Sequence, residues 1–141
     1  MKLHTVMPGL YIRGEFRSWT LAKKIAELSA VPIHVVVNLT YTADPDLLYT
    51  DVIVFHCPMG DGRRIPPQLD DLARLINDKR HRGNNVLVHC GAGQNRAGLV
   101  SARAYMLETG CSGAEAVEHA RAVRPNALIN QSFVSWLMGL K

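Results

Sequence analysis

A cysteine and an arginine stand near the two ends of a short run, residues 89–96, which reads His-Cys-Gly-Ala-Gly-Gln-Asn-Arg. The run follows the apolar segment Val86-Leu87-Val88 and precedes a helix-like stretch that begins at Ala97. A strand, a tight loop and a helix N-terminus are therefore expected to meet here. Converging backbone N–H groups in such a loop, together with the helix dipole, can hold an oxyanion such as phosphate.

Cys90 is the expected nucleophile of this loop. The same N–H groups and the Arg96 guanidinium favour a thiolate, which is the reactive form of cysteine. A thiolate beside a bound phosphate is placed for in-line attack on phosphorus. The residues expected to hold the phosphate are Gly91, Ala92, Gly93, Gln94, Asn95 and Arg96.

Other phosphate loops and a metal site fit these residues poorly. Leu99 follows Gly98 where a Walker loop would need lysine, and Arg96 stands where a dinucleotide fingerprint would need glycine. The pairs His56-Cys57 and His89-Cys90 both end apolar runs, but adjacent strand residues point to opposite faces. Neither pair then supplies two ligands to one metal, and we expect no metal and no other cofactor.

The signature formed by His89, Cys90, Gly93 and Arg96 resembles that of the cysteine-dependent protein tyrosine phosphatases: His-Cys, any five residues, then Arg. The compact length resembles the dual-specificity group of this superfamily. So do three flanking segments, which are residues 7–12, residues 37–40 and Arg124-Pro125 with Asn130 and Phe133. The resemblance implies one phosphatase catalytic domain over residues 1–141, acting through a phosphocysteine without a metal.

The resemblance also implies a general acid on the loop after an early strand, and Asp61 matches that position. The flanking residues Gly60 and Gly62 allow the loop to swing the carboxyl over the pocket. An ordinary turn aspartate is the alternative. Weaker candidates for the acid are Asp44 and Asp46, which flank a proline, and Asp70 and Asp71, for which a solvated helix face is expected.

Supporting roles are expected for several neighbours of the loop. His89 is expected to brace the loop, because it precedes the nucleophile on a buried strand. Asn130 matches a family position that hydrogen-bonds the backbone of the cysteine loop, and capping of the following helix is an equal alternative. Arg63 and Arg64 either guide a second phosphate or an acidic segment, or are simply solvated.

Two further expectations concern the chemistry of the cysteines. At Ala97 the chain departs from the family, which usually has serine or threonine after the signature arginine. That hydroxyl helps the cysteine leave during hydrolysis of the phosphocysteine, so the second half-reaction is in question. Cys57 is expected near Cys90, where mild peroxide would join the two in a disulfide; filling the core is its alternative use.

Alternating apolar runs and amphipathic stretches predict an α/β fold. Strands are expected at residues 10–12, 33–39, 51–57 and 85–89. Helices are expected from Ser18, with Leu21, Ile25 and Leu28 on one face, from Pro66-Pro67, and over about 96–108, 112–123 and 131–140. This order favours a central, mainly parallel twisted sheet of four to five strands with helices on both faces. The cysteine loop would lie at the carboxyl end of a central strand.

Composition favours a small cytoplasmic enzyme. The chain has 141 residues, of which 48% are hydrophobic, enough for one core. It has no apolar run of the ~18 residues that a membrane span requires, and its N-terminus lacks a signal-peptide core. Three cysteines do not make a disulfide framework. The net charge of +4 mildly favours anionic substrates, and we expect a monomer.

The expected activity is hydrolysis of phosphotyrosine, and of phosphoserine or phosphothreonine, in proteins. Two alternatives stay open. The pattern Gly93-x-Asn95-Arg96 resembles the loop of RNA triphosphatases of the same superfamily, whose substrate is an RNA 5′ end. A module that binds phosphate without turnover is the other, and Ala97 keeps it open. A phosphoinositide substrate is less favoured, because the loop lacks lysine.

Overall fold

One five-stranded sheet organises the part of the chain that the computed structural model describes, which is residues 3–14, 30–45, 47, 50–91 and 95–140. Its strands are β1 (His4–Met7), β2 (Leu10–Gly14), β3 (Val35–Asn38), β4 (Ile53–His56) and β5 (Val86–Cys90). The helices are α1 (Leu69–His81), α2 (Arg96–Thr109), α3 (Gly113–Val123) and α4 (Gln131–Met138). The helix predicted from Ser18 lies outside the described residues.

The strand order is β1-β2-β5-β3-β4, so the strand that ends in Cys90 is central. β5 runs parallel to β2 and β3, and β3 runs parallel to β4. These pairings confirm the predicted α/β class with a mainly parallel sheet. The cysteine loop accordingly leaves the carboxyl end of a central strand, the usual position of a site in such a sheet.

The edge strand β1 was not predicted, since the first predicted strand was residues 10–12. Pro8 and Gly9 form a turn in which Gly9 has φ +80°, a left-handed conformation that glycine adopts without steric cost. The turn sends the chain back, and His4 lies opposite Ile12 in an antiparallel pair. A short apolar segment before a turn is compatible with a strand or a loop, and only the pairing decides.

Side chains alternate between the two faces of β5, which places Cys90 and His89 on opposite faces of the sheet. Val86, Val88 and Cys90 belong to the main core, in which residues of all four described helices pack. Leu87 lies in a second, smaller cluster on the opposite face. Because side chains alternate along a strand, His89 also points to this opposite face.

Ion pairs join α1 to α2 beneath the core. Arg103 donates to Asp70 at 2.7 Å, and this hydrogen bond and charge hold the Asp70 pKa below its usual value. His81 and Arg80 lower the pKa of Glu108 in the same way. The Asp70 side chain is paired with Arg103 and is 37% exposed, so its helix face is only partly solvated. The Asp71 side chain is 84% exposed and lies 3.5 Å from Arg74.

The predicted disulfide between Cys57 and Cys90 does not fit this sheet. Strand β3 lies between the strands that precede the two cysteines. Leu39 continues β3 at the same level: its N–H donates to the His89 carbonyl on one side, and its carbonyl accepts the Met59 N–H on the other. Two strand spacings put the two Cα atoms about 9–10 Å apart, beyond the ~7 Å limit for a disulfide. Burial also raises the pKa of the Cys57 thiol, so it is a poor partner in thiolate exchange.

Candidate active site

The Cys90 thiol lies at the N-terminus of α2. Cys90 is 2% exposed, and its Sγ accepts a hydrogen bond from the backbone N–H of Ala97 at 3.4 Å. Ala97 is the second residue of α2, where backbone N–H groups have no partner within the helix. This contact gives a thiolate a donor and the positive end of a helix dipole.

Arg96 reaches from the first position of α2 toward the loop that carries Asp61. Its Nη1 donates to the carbonyl of Met59 at 3.3 Å. A Cβ on Gly91 would stand 2.9 Å from Nη2 of Arg96, so the guanidinium passes close to the start of the loop and would have to shift if residue 91 had a side chain. The other predicted phosphate ligands, Ala92, Gly93 and Gln94, lie outside the described residues, and their role stays a prediction.

The Asp61 carboxylate is hydrogen-bonded to the signature run. Its Oδ2 accepts from Nδ2 of Asn95 at 2.9 Å, and its Oδ1 accepts from Nδ2 of Asn130 at 2.8 Å. Asn95 directly precedes Arg96, so the structure brings the predicted acid together with the run that holds the predicted nucleophile. Asp61 is exposed, as a residue that must reach a substrate needs to be.

Asn130 caps the following helix, as one of its two predicted roles requires, and it contacts the signature run at a side chain and not at the predicted backbone group. Its Oδ1 accepts from the backbone N–H of Phe133 at 3.2 Å, which caps α4. Its own backbone N–H donates to Oδ1 of Asn95 at 2.9 Å. Its contact with the signature run is therefore to the Asn95 side chain, where the sequence predicted a loop backbone group.

His89 is braced by an aspartate that the sequence offered as a rival acid. Its Nε2 lies 2.7 Å from Oδ2 of Asp44, and Nδ2 of Asn38 donates to the same oxygen at 2.9 Å. The side chains of His89 and Asp44 are 1% and 8% exposed. Asp44 is thus committed to the opposite face of β5, which leaves Asp61 as the better acid. Asp46 lies outside the described residues.

Asp44→Ala should destabilise the fold. The substitution removes the acceptor of two largely buried hydrogen bonds, and a hydrogen bond to a charged group is worth about 1.5–3 kcal/mol. Two such bonds at the lower end of this range give an expected loss of about 3 kcal/mol in the free energy of unfolding, measurable by urea denaturation. Asp71→Ala is the matched control, with a change within about 0.5 kcal/mol. Equal midpoints for the two variants would contradict a structural role for Asp44.

Arg63 and Arg64 line a cavity of about 240 Å³, which Gly60 and Gly62 of the acid loop also line. Tyr41, which is 73% exposed, lines the same cavity together with Met59, the residue whose carbonyl receives Arg96. Tyr41 was not among the predicted site residues. Its only signal was an aromatic residue just beyond the carboxyl end of a buried strand.

No cluster of three or more histidine, cysteine or acidic residues suited to a metal ion occurs within the described ranges. His56 and His89 are engaged elsewhere, since Nε2 of His56 lies 2.7 Å from the Thr40 carbonyl oxygen. Among the described helices, none has the length and apolar character needed to cross a membrane.

Known proteins are similar to this chain in sequence and in fold. The family described as "Dual specificity phosphatase, catalytic domain" matches residues 16–141. Dual specificity protein phosphatase 1 of Arabidopsis thaliana is 31% identical over 72 residues, which are 51% of this chain and 36% of that protein. Protein phosphatase Slingshot homolog 3 of Homo sapiens is 25% identical over 135 residues, which are 94% of this chain and 20% of that protein. The matches thus span about a third and a fifth of the two relatives.

Solved structures agree with the family match. The crystal structure of DUSP15 is 28% identical, with a TM-score of 0.82 over 96% of this chain and 85% of that one. Tk-PTP in its active form has the same fold, at 24% identity and a TM-score of 0.78 over 96% of this chain and 95% of that one. Because the family match extends over most of the chain and includes the whole signature, the chain belongs to the dual-specificity phosphatase family.

Proposed function

We propose that this chain, as one catalytic domain, hydrolyses phosphomonoesters of proteins through a phosphocysteine intermediate. The observation that carries the proposal is the position of Cys90, whose Sγ accepts the Ala97 N–H at the start of α2. The tie between Asp61 and Asn95 supports it by bringing an acid to the same loop. All three cysteines, Cys57, Cys90 and Cys111, are free thiols, which supports a reducing compartment such as the cytoplasm.

The mechanism has two steps that share one carboxyl group. In the first, Arg96 and the loop amides hold the phosphate oxygens, and the Cys90 thiolate forms an S–P bond. The P–O bond to the leaving group breaks, and Asp61 gives that oxygen its proton. In the second step, Asp61 takes a proton from water, which attacks phosphorus. The S–P bond breaks, which releases inorganic phosphate and regenerates the Cys90 thiolate.

Release of phosphate from a small aryl phosphate tests the proposal, because such a substrate requires only the loop and its cysteine. We expect steady release by the native chain at neutral pH without added metal. A chain that binds phosphate but releases none would instead be a phosphate-binding module.

The cavity lined by Arg63 and Arg64 supports a substrate with a second anionic group beside the phosphate. Two guanidinium groups and the exposed ring of Tyr41 line it, and among the residues that the structure describes none of its lining is acidic. A panel of phosphotyrosine and phosphothreonine peptides, each with glutamate or glutamine next to the phosphoresidue, should show a lower KM for the glutamate peptides. Triphosphorylated RNA and phosphoinositides complete the panel, and preferred turnover of the RNA would favour the RNA 5′-phosphatase alternative.

Ala97 should make breakdown of the phosphocysteine the slow step. The structure supplies a backbone N–H to Sγ at this position but no side-chain hydroxyl. A missing hydrogen bond to a charged group is worth about 1.5–3 kcal/mol, or roughly one to two orders of magnitude in rate. Rapid mixing with an aryl phosphate should show a burst of phenol near one equivalent of enzyme. Ala97→Ser should shrink the burst and raise the steady rate.

Ser101, one helical turn beyond Ala97, is the control for this prediction. Its hydroxyl is buried and has no hydrogen-bond partner among the described residues, so it is the nearest candidate for a compensating donor on the same helix. Ser101→Ala should leave the steady rate unchanged, and a lower steady rate would show that the Ser101 hydroxyl compensates for the one missing at Ala97. The absence of a burst in the native chain, with an unaltered steady rate in Ala97→Ser, would show that breakdown does not limit turnover.

A further inference from the structure

The two side-chain oxygens of Asp61 are held by amides from two different elements. Asn95 lies in the signature run and donates to Oδ2, while Asn130 lies at the start of α4 and donates to Oδ1. Nδ2 of Asn130 also donates to the carbonyl of Gly62 at 2.8 Å, which fixes the acid loop itself. The carboxyl group and its loop are therefore tied to the loop of the nucleophile.

Asn95 forgoes the usual use of an asparagine at its position. It is the N-cap residue of α2, where an asparagine side chain commonly accepts a hydrogen bond from the first turn. Its side chain makes no capping hydrogen bond. Its side-chain Nδ2 instead donates to Asp61, and its side-chain Oδ1 accepts the backbone N–H of Asn130.

The segment that positions Asn130 is itself constrained. Leu128 is fully buried and has φ +56°, a left-handed conformation that a non-glycine residue adopts only when its surroundings enforce it. Arg121 enforces it by donating to the Leu128 carbonyl at 3.0 Å. The Asn130 side chain is further fixed by its cap on α4, so it presents its amide to Asp61 from a rigid frame.

We propose that Asn95 and Asn130 are positioning residues for the general acid, an inference that rests on the proposed function. They hold the Asp61 carboxyl group beside the cysteine loop before a substrate arrives. Each carboxylate oxygen has two lone pairs, and each amide uses one. The remaining sites can carry the proton for the leaving group and then accept a proton from water. Neither asparagine is a catalytic residue, because each acts through Asp61.

Single-turnover cleavage of two substrates tests this role. Asn95→Ala should slow phosphotyrosine cleavage about tenfold to hundredfold, the equivalent of one hydrogen bond to a charged group. Alanine keeps the backbone N–H of residue 95, which is the group expected to face a bound phosphate. The slowing should therefore be much smaller for an activated aryl phosphate such as p-nitrophenyl phosphate, whose leaving group needs little protonation. Asn130→Ser should act in the same direction, because serine keeps a capping oxygen but has no amide to reach Asp61. Asn84→Ala is the matched control, since Asn84 donates only to the Lys79 carbonyl away from the site.

A double-mutant cycle separates this role from a general effect on the loop. In the Asp61→Ala background, Asn95→Ala should cause no further loss with phosphotyrosine. A loss that is equal for the two substrates, or that persists in the Asp61→Ala background, would overturn the positioning role while the proposed function stands. A native chain with no turnover of p-nitrophenyl phosphate would overturn the proposed function, and the positioning role with it.

Discussion

Replacement of Cys90 by serine should abolish turnover of every phosphate ester while phosphate binding survives. The serine hydroxyl is not ionised at neutral pH and is a far weaker nucleophile than a thiolate. The groups expected to bind phosphate are different ones: the loop amides, the Arg96 guanidinium and the N-terminus of α2. Cys90→Ser exchanges one sulfur atom for an oxygen atom. A serine hydroxyl can still accept the Ala97 N–H that Sγ accepts in the native chain, so the pocket should keep its shape.

Two measurements check this expectation. Release of phenol from an aryl phosphate should fall to the background of the uncatalysed reaction. Calorimetric titration with inorganic phosphate, which neither chain consumes, should give a Kd close to that of the native chain. Cys111→Ser is the matched control, because Cys111 is a partly buried free thiol that packs against the core away from the loop. Retained turnover in Cys90→Ser, or an equal loss in Cys111→Ser, would place the nucleophile elsewhere.

The parts of this fold that the sequence predicts well are those fixed by local pattern. A buried apolar run, a glycine-rich loop and a helical stretch adjoin within residues 85–109, and the structure has β5 and α2 there with ends within one residue of those predicted. The helix predicted over 112–123 is α3, whose N-cap is Ser112, and Ser112 and Glu115 form a capping box. These signals involve residues a few positions apart, where propensity and capping decide the outcome.

Contacts between segments that are distant in the sequence could not be predicted from local patterns. Asp44 and His89 are far apart in sequence, and nothing in either neighbourhood indicates that they meet. The strand order likewise separates Cys57 from Cys90, although both follow strands that point the same way. The amide of Asn95 could have served α2 as a cap, and only its proximity to Asp61 shows its actual use. Pairing and packing, rather than local preference, determine each of these contacts.

Asp61→Asn should lower the rate of phosphotyrosine cleavage by about 10²–10⁴, the usual contribution of general acid catalysis. Asparagine has nearly the same shape as aspartate and can still accept a hydrogen bond from Asn95 or Asn130. It has no carboxyl proton to give, so the phenolate must leave unprotonated. An activated aryl phosphate should be cleaved at nearly the native rate in the first step, because its leaving group is a weak base.

Single-turnover experiments with both substrates measure this difference directly, because they isolate formation of the phosphocysteine from its breakdown. Asp71→Asn is the matched control, because its carboxylate is 84% exposed on α1 and its loss should leave both rates unchanged. Unchanged phosphotyrosine cleavage in Asp61→Asn would assign the proton to another residue. The hydrogen bonds from Asn95 and Asn130 would then serve to close the loop rather than to aim an acid.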